Sequence, residues 1–298
     1  VDNRSDIRDF LATRRARLSP ERVGLPSGSG RRRVPGLRRE EVAVLAGVST
    51  EWYTRLEKGH ISGVSEEVLD AVARALQLDE AERVYLFDLA RAAKPARTAR
   101  RRTRTRVAPA VQWMLDSMTA SAAFVRNGRM DILAINPLGR ALYAPMYDSD
   151  TTDERGQVNI ARFQFLDPRA QDFFADWDSA ANITVALLRS EAGRHPYDKA
   201  LRELVGELST VSEEFRTRWA AHNVRIHHSG VKAFAHPDVG LVEITYHSMQ
   251  LSSSENDLHD MTIYTAEPGS ASEDRLRLLA SWAATHPALT HTPAEEVK

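Results

Sequence analysis

Residues 37–59, LRREEVAVLAGVSTEWYTRLEKG, decide how this chain is read. Val42, Leu45 and Ala46 fall at helical spacing on one side of a first segment, and Gly47 follows as the residue best able to close it in a left-handed conformation. Ser49 is a good N-cap for a second segment, because its hydroxyl can accept a backbone N–H that the first helical turn leaves unpaired. In that second helix Tyr53 and Leu56 pack inward, so Thr50, Glu51, Thr54, Arg55 and Lys58 are left facing outward. Two short helices joined by a tight turn, with a polar outer face on the second, suit insertion into a DNA major groove.

The pattern resembles the helix-turn-helix of the Xre and phage-repressor type. On that reading Ser49, Thr50, Glu51, Trp52 and Thr54 belong to the reading helix, and Arg38, Arg39, Arg55 and Lys58 contact phosphate or guanine. Residues 19–35, rich in proline and glycine, end in Arg31, Arg32 and Arg33, a basic tip expected to touch phosphates.

The remaining N-terminal sequence completes a helical domain of about five helices. Ile7, Phe10, Leu11 and Leu18 predict a first helix with Arg14, Arg15 and Arg17 crowding its end, where they also complement the helix dipole. Ser65 opens a helix with the stripe Val68, Leu69, Val72 and Leu76, and Asp79 opens another through Ala93. Residues 94–106, KPARTARRRTRTR, hold seven basic residues and no acid, and read as a linker.

Charge divides the chain at that point. Residues 1–106 carry 23 Lys/Arg and 15 Asp/Glu, net +8, whereas the rest carries 17 and 26, net −9. A basic first part fits phosphate attraction, and an acidic remainder does not lie along DNA. With no cysteine, disulfides, thiolate catalysis and cysteine-ligated metals are excluded. No apolar run reaches the roughly 20 residues of a membrane helix, so no membrane role and a cytoplasmic location are expected.

From residue 107 the pattern becomes mixed. Residues 122–126 and 130–136 read as strands around Asn127-Gly128, residues 159–223 are mainly helical, and strands return at 231–235, 241–251 and 261–266 before a last helix over 272–284. The expectation is an α+β domain over 107–298 with a five-stranded antiparallel sheet, in the order of PAS-like sensor domains, behind an all-α domain over 1–93 and a linker over 94–106.

RSDIRDFLATRRARLSPERVGLP (4–26), the segment 31–59, ARFQFLDPRAQDFFADW (161–177), SEEFRTRWAAHNV (212–224) and YTAEPGS (264–270) together resemble the MmyB-like regulators of actinobacteria over nearly the whole chain. That resemblance implies an Xre-type DNA-binding domain followed by a PAS-like domain for a small, often lipid-like ligand. The aromatics Trp113, Phe163, Phe165, Trp177, Phe215 and Trp219 are then candidates for an apolar wall, with Arg162, Arg189 and His222 as polar ends that suit a fatty-acid-like ligand. Each aromatic is more readily read as core, and the domain could instead only dimerise or dock a protein; an enclosed apolar cavity of roughly 300 Å3 or more would distinguish the two.

No catalytic site is expected. His222, His227, His228, His236, His247 and His259 are scattered, none in the i, i+4 arrangement of helical zinc sites, and no glycine-rich phosphate loop occurs, so neither a metal nor a cofactor is expected. The expected partners are a double-stranded DNA operator with an inverted repeat, bound by a homodimer, and the small apolar ligand.

Overall fold

The computed structural model describes residues 3–25, 36–93, 107–153, 156–224, 229–252 and 258–285. Arg31, Arg32 and Arg33 and the basic stretch 94–106 lie outside the described residues. The chain forms two compact units, one of Val1–Arg100, Val185–Ser209 and Arg216–Ile226, the other of Arg101–Thr184, Thr210–Phe215 and His227–Lys298.

The first unit opens with α1 (Asn3–Arg17), α2 (Arg39–Ala46), α3 (Thr50–Glu57), α4 (Glu66–Ala75) and α5 (Glu80–Ala92). The stripe read from spacing is the core: Ile7, Phe10 and Leu11 of α1 cluster with Val42, Tyr53, Leu56, Leu69, Val72 and Leu86. The turn between α2 and α3 has the expected chemistry. Gly47 sits at φ 67°, and the Ser49 hydroxyl accepts from the Trp52 N–H at 3.1 Å. Gly59, just beyond α3, is at φ 92°, and a Cβ there would meet the backbone of Arg4 at 2.8 Å, so the close approach of α1 demands glycine.

The chain then forms α6 (Pro109–Asp116), strands β1 (Ala122–Arg126) and β2 (Ile132–Ile135), and the helices α7 (Pro137–Leu142), α8 (Ala144–Tyr147), α9 (Ile160–Leu166) and α10 (Arg169–Phe173). Next come α11 (Trp177–Arg194), α12 (Lys199–Val211) and α13 (Glu213–Ala220), then β3 (Ser229–His236), β4 (Gly240–Ser252), β5 (Leu258–Thr265) and α14 (Ala271–Thr285).

The five strands make one antiparallel sheet in the order β2-β1-β5-β4-β3. One face is packed with Phe124, Tyr143, Phe163, Phe173, Phe174, Phe234 and Tyr264. The Tyr143 and Tyr264 hydroxyls bond each other at 2.7 Å inside this cluster, so two phenols are buried without leaving a polar group unpaired. The turn after β1 differs from a two-residue hairpin. Asn127 Oδ1 accepts from the N–H groups of Arg129 and Asp131, and the left-handed residue is Met130, at φ 70°, rather than Gly128. The Asx turn therefore carries the chain round, and burial of the Met130 side chain offsets the cost of its left-handed backbone.

Candidate DNA-binding and ligand-binding sites

On α3 the buried residues are Tyr53, Leu56 and Glu57, while Thr50, Glu51, Arg55 and the following Lys58 are exposed. Thr54 is half-buried, and Trp52 packs partly against the helical core. Arg38 is exposed and its side chain bonds Glu40 at 3.3 Å. The structure thus brings Thr50, Glu51, Arg55 and Lys58 to one solvent-facing surface beside the capped N-terminus that Ser49 provides.

The face is held by a residue that the sequence did not single out. Glu57, only 1% exposed, accepts from Arg15 through both oxygens, at 2.9 and 3.0 Å, and from Arg39 at 2.9 and 3.1 Å. Burial alone would raise this carboxyl, but the bonds and charges of Arg15 and Arg39 outweigh it and hold Glu57 below the usual carboxylate range. One carboxylate therefore ties α1 and α2 to α3. The crowd of arginines at the end of α1 is also spoken for: Arg14 pairs with Glu82 at 2.6 Å, Arg15 with Glu57, and Arg17 donates to Asn223 Oδ1 at 2.6 Å.

The residues proposed as a ligand wall are placed in several different settings. Phe165, Trp177 and Phe215 touch edge to face in the second unit, with ring centroids 5.8 and 5.1 Å from Phe165. Phe163 belongs to the aromatic core against Phe173. Trp113 is 70% exposed on α6. Arg162 stands half-buried in the first turn of α9, its backbone N–H held by Asn159 Oδ1.

Arg189, Trp219 and His222 come together in the first unit. The Arg189 guanidinium is fully buried, stacks 3.9 Å from the centre of the Trp219 ring, donates to the Trp219 carbonyl and to His222 Nδ1 at 3.0 Å, and lies 3.6 Å from Asp6 of α1. Arg14 donates to the His222 carbonyl at 2.5 Å. Close packing adds to this: a Cβ on Gly193 would meet the Tyr85 ring at 2.4 Å, so α11 approaches Tyr85 only because residue 193 is glycine.

Burial, followed by the positive charges of Arg189 and Arg14, pulls His222 down from 6.5 to about 4. The imidazole is neutral at pH 7 and accepts from Arg189 at Nδ1. The sign of the linkage follows. Below pH 6.5 the unfolded chain binds a proton that the folded chain refuses, so stability is full above about 6.5 and falls as pH drops towards 4, by about 3 kcal/mol in total. Asp167, bonded to Arg169 and Ser149 and held at about 2, titrates in a lower window. Urea unfolding between pH 7 and 5 is expected to show about 2 kcal/mol of this loss, and His222→Asn, which tolerates the φ of 51° and keeps an acceptor, is expected to flatten it.

A further basic side chain emerges in the second unit. Lys232 of β3 lies opposite Ile244, on the same strand parity as the buried Phe234, and lines a small cleft of about 70 Å3 with Phe174, Asp176, Ser179, Ala180 and Ile183. In KAFAH the alternation alone could have placed Lys232 with Phe234 on the inward face. Among the described residues no group of metal-ligating side chains occurs, and no helix is long and apolar enough to cross a membrane.

Two family models match the chain. Residues 107–279 match the MmyB-like transcription regulator ligand binding domain, and residues 6–86 match a helix-turn-helix domain. No curated protein matches the chain. The two matched families are those of a DNA-binding transcription regulator with a ligand-binding domain, not of an enzyme.

Proposed function

The chain belongs to the family defined by the MmyB-like transcription regulator ligand binding domain, and from that membership we propose that it acts in the cytoplasm as a homodimer on an inverted-repeat operator, under the control of a small, largely apolar ligand. The observation that carries the DNA half is the α3 surface: Thr50, Glu51, Arg55 and Lys58 are exposed on a helix whose other side is core. Short acceptor-bearing groups near a helix N-terminus reach base edges, and the cations beside them neutralise phosphates. Two such helices are needed, because one buries too little surface to discriminate strongly.

Selection from a randomised duplex library tests this. It is expected to return two half-sites about one helical turn, ~34 Å, apart. Thr50→Ala is expected to change the preferred bases at one position of each half-site, a loss of about 1–3 kcal/mol of discrimination there. A single short block saturating at one protein would remove the dimer, and an unchanged preference would remove Thr50 from the reading face.

A second reading, in which the C-terminal domain only dimerises or docks a protein, is favoured by one observation. The inner face of the sheet is filled with aromatic rings, and the cleft beside Lys232, at about 70 Å3, is well below the roughly 300 Å3 of a small-molecule pocket. A ligand body entering there must displace side chains. The ligand reading is supported by the match of residues 107–279 to a ligand binding domain.

A further inference from the structure

The two family matches and the two compact units do not divide the chain at the same place. Residues 107–279 match the ligand binding domain, yet Val185–Ser209 and Arg216–Ile226 belong to the first unit, with the helix-turn-helix. Val224 is part of that unit's core, buried in one cluster with Ile7, Phe10 and Leu11 of α1. Within the unit, the last turn of α1 is held from two sides.

Residues three apart on a helix share a side, whereas neighbours do not. Arg14 and Arg17 turn to the chain leaving α13: Arg14 donates to the His222 carbonyl at 2.5 Å, and Arg17 donates to Asn223 Oδ1 at 2.6 Å. Arg15 and Ala16 turn to the helix-turn-helix. Arg15 donates to the Leu37 carbonyl ahead of α2 at 2.7 Å and to Glu57 at the end of α3 at 2.9 Å, and its own carbonyl accepts from the Leu37 N–H at 3.1 Å. A Cβ on Gly36 would meet Ala16 Cα at 2.5 Å, so helix and chain are pressed together there.

The turn on the other side is itself fixed. His222 sits at φ 51°, a left-handed conformation that costs a histidine energy, and it is held there by Arg14 on its carbonyl and by Arg189 on its ring Nδ1 at 3.0 Å. Apolar packing would keep α1 against this turn without fixing its rotation; directed hydrogen bonds fix it. We propose that the turn 221–223 is a positioning element for DNA recognition: His222 and Asn223 set the rotation of the last turn of α1, and Arg15 passes that setting to the entry of α2 and the end of α3. This rests on the DNA-binding reading above. It makes a stretch of the ligand-binding family's sequence part of what aims the reading helix.

Asn223→Ala in the full chain tests this. Arg17 is 48% exposed, so the fold loses little and the melting temperature is expected to fall by no more than about 4 °C. A contact biases an arrangement by no more than its own strength, so affinity for the selected operator, measured where the variant is fully folded, is expected to fall about fivefold. The salt dependence is expected to match wild type, because no phosphate contact is lost. In a Glu57→Gln background, where the path through Arg15 is already weakened, Asn223→Ala is expected to change affinity by less than about twofold. Hydrogen exchange of the DNA-free chain gives a second readout: Asn223→Ala is expected to speed exchange over residues 37–58 and leave α4 unchanged. Unchanged operator affinity, equal losses in both backgrounds, or tighter binding with a steeper salt dependence would overturn the proposal, the last by making Arg17 a phosphate contact that Asn223 restrains. Faster exchange over 37–58 in a chain that selects no duplex would keep the positioning and remove the DNA reading.

Discussion

Arg189→Met is expected to lower the stability of the protein by about 3–5 kcal/mol, the usual cost of removing one partner from a buried charge pair. The guanidinium has no exposure, and its loss takes one cationic partner from Asp6, itself 6% exposed, and a donor from His222 Nδ1 and from the Trp219 carbonyl. Methionine replaces the volume but none of the donors. Urea unfolding at pH 7 checks this. A loss under about 1 kcal/mol would show that the cluster holds nothing together, and would return Arg189 to consideration as a ligand group. The double replacement Asp6→Leu with Arg189→Met is expected to recover part of the loss, because an apolar pair carries no stranded charge. A ligand-binding role makes the opposite demand: Arg189→Met would then spare stability and remove ligand binding.

The contrast between Arg189 and Lys232 explains what was legible in the sequence. In the sequence each is a lone basic residue beside an apolar run, VALL before Arg189 and AFA after Lys232. Local chemistry reads well where the signal is local: the Gly47–Ser49 turn, the stripes of α1 and α4, and the strand 122–126 all follow from spacing and capping over a few residues. Partners distant in sequence are not written in any window. Arg189 meets Asp6 from 183 positions away, and no periodicity announces it. The same holds for Glu57, which in the sequence is one more charge in RLEKG and in the structure is the anion for two arginines. The six aromatics were readable as apolar, but their grouping was not, because helices α6, α9, α11 and α13 carry them and helix spacing says nothing about which helices meet. The turn at 127–131 shows the limit even of strong local signals: Asn-Gly marks a turn, yet the asparagine side chain, not the glycine, shapes it.

Glu57→Ala is expected to cost about 3–5 kcal/mol and to weaken DNA binding without changing which bases are preferred. The carboxylate is buried and both its oxygens are taken, so its removal takes from Arg15, 15% exposed, its carboxylate partner and leaves it the Leu37 carbonyl at 2.7 Å. Arg39, 49% exposed, can turn to water instead, which puts the expected loss at the lower end of the range. Arg39 so released becomes available to a phosphate, and that gain opposes the loss. The net sign therefore depends on geometry: Glu57 sets the angle at which α3 leaves α2, and misplacing a recognition helix removes base and phosphate contacts together. Thermal unfolding and binding to the selected operator and to a scrambled duplex, at two salt concentrations, measure the terms separately. The expected result is a lower melting temperature, weaker binding to both duplexes and a preserved order of preference among single-base variants. A changed base preference with unchanged stability would instead place Glu57 among the groups that read the DNA, and would sink the assignment of this carboxylate as the clamp behind the reading face.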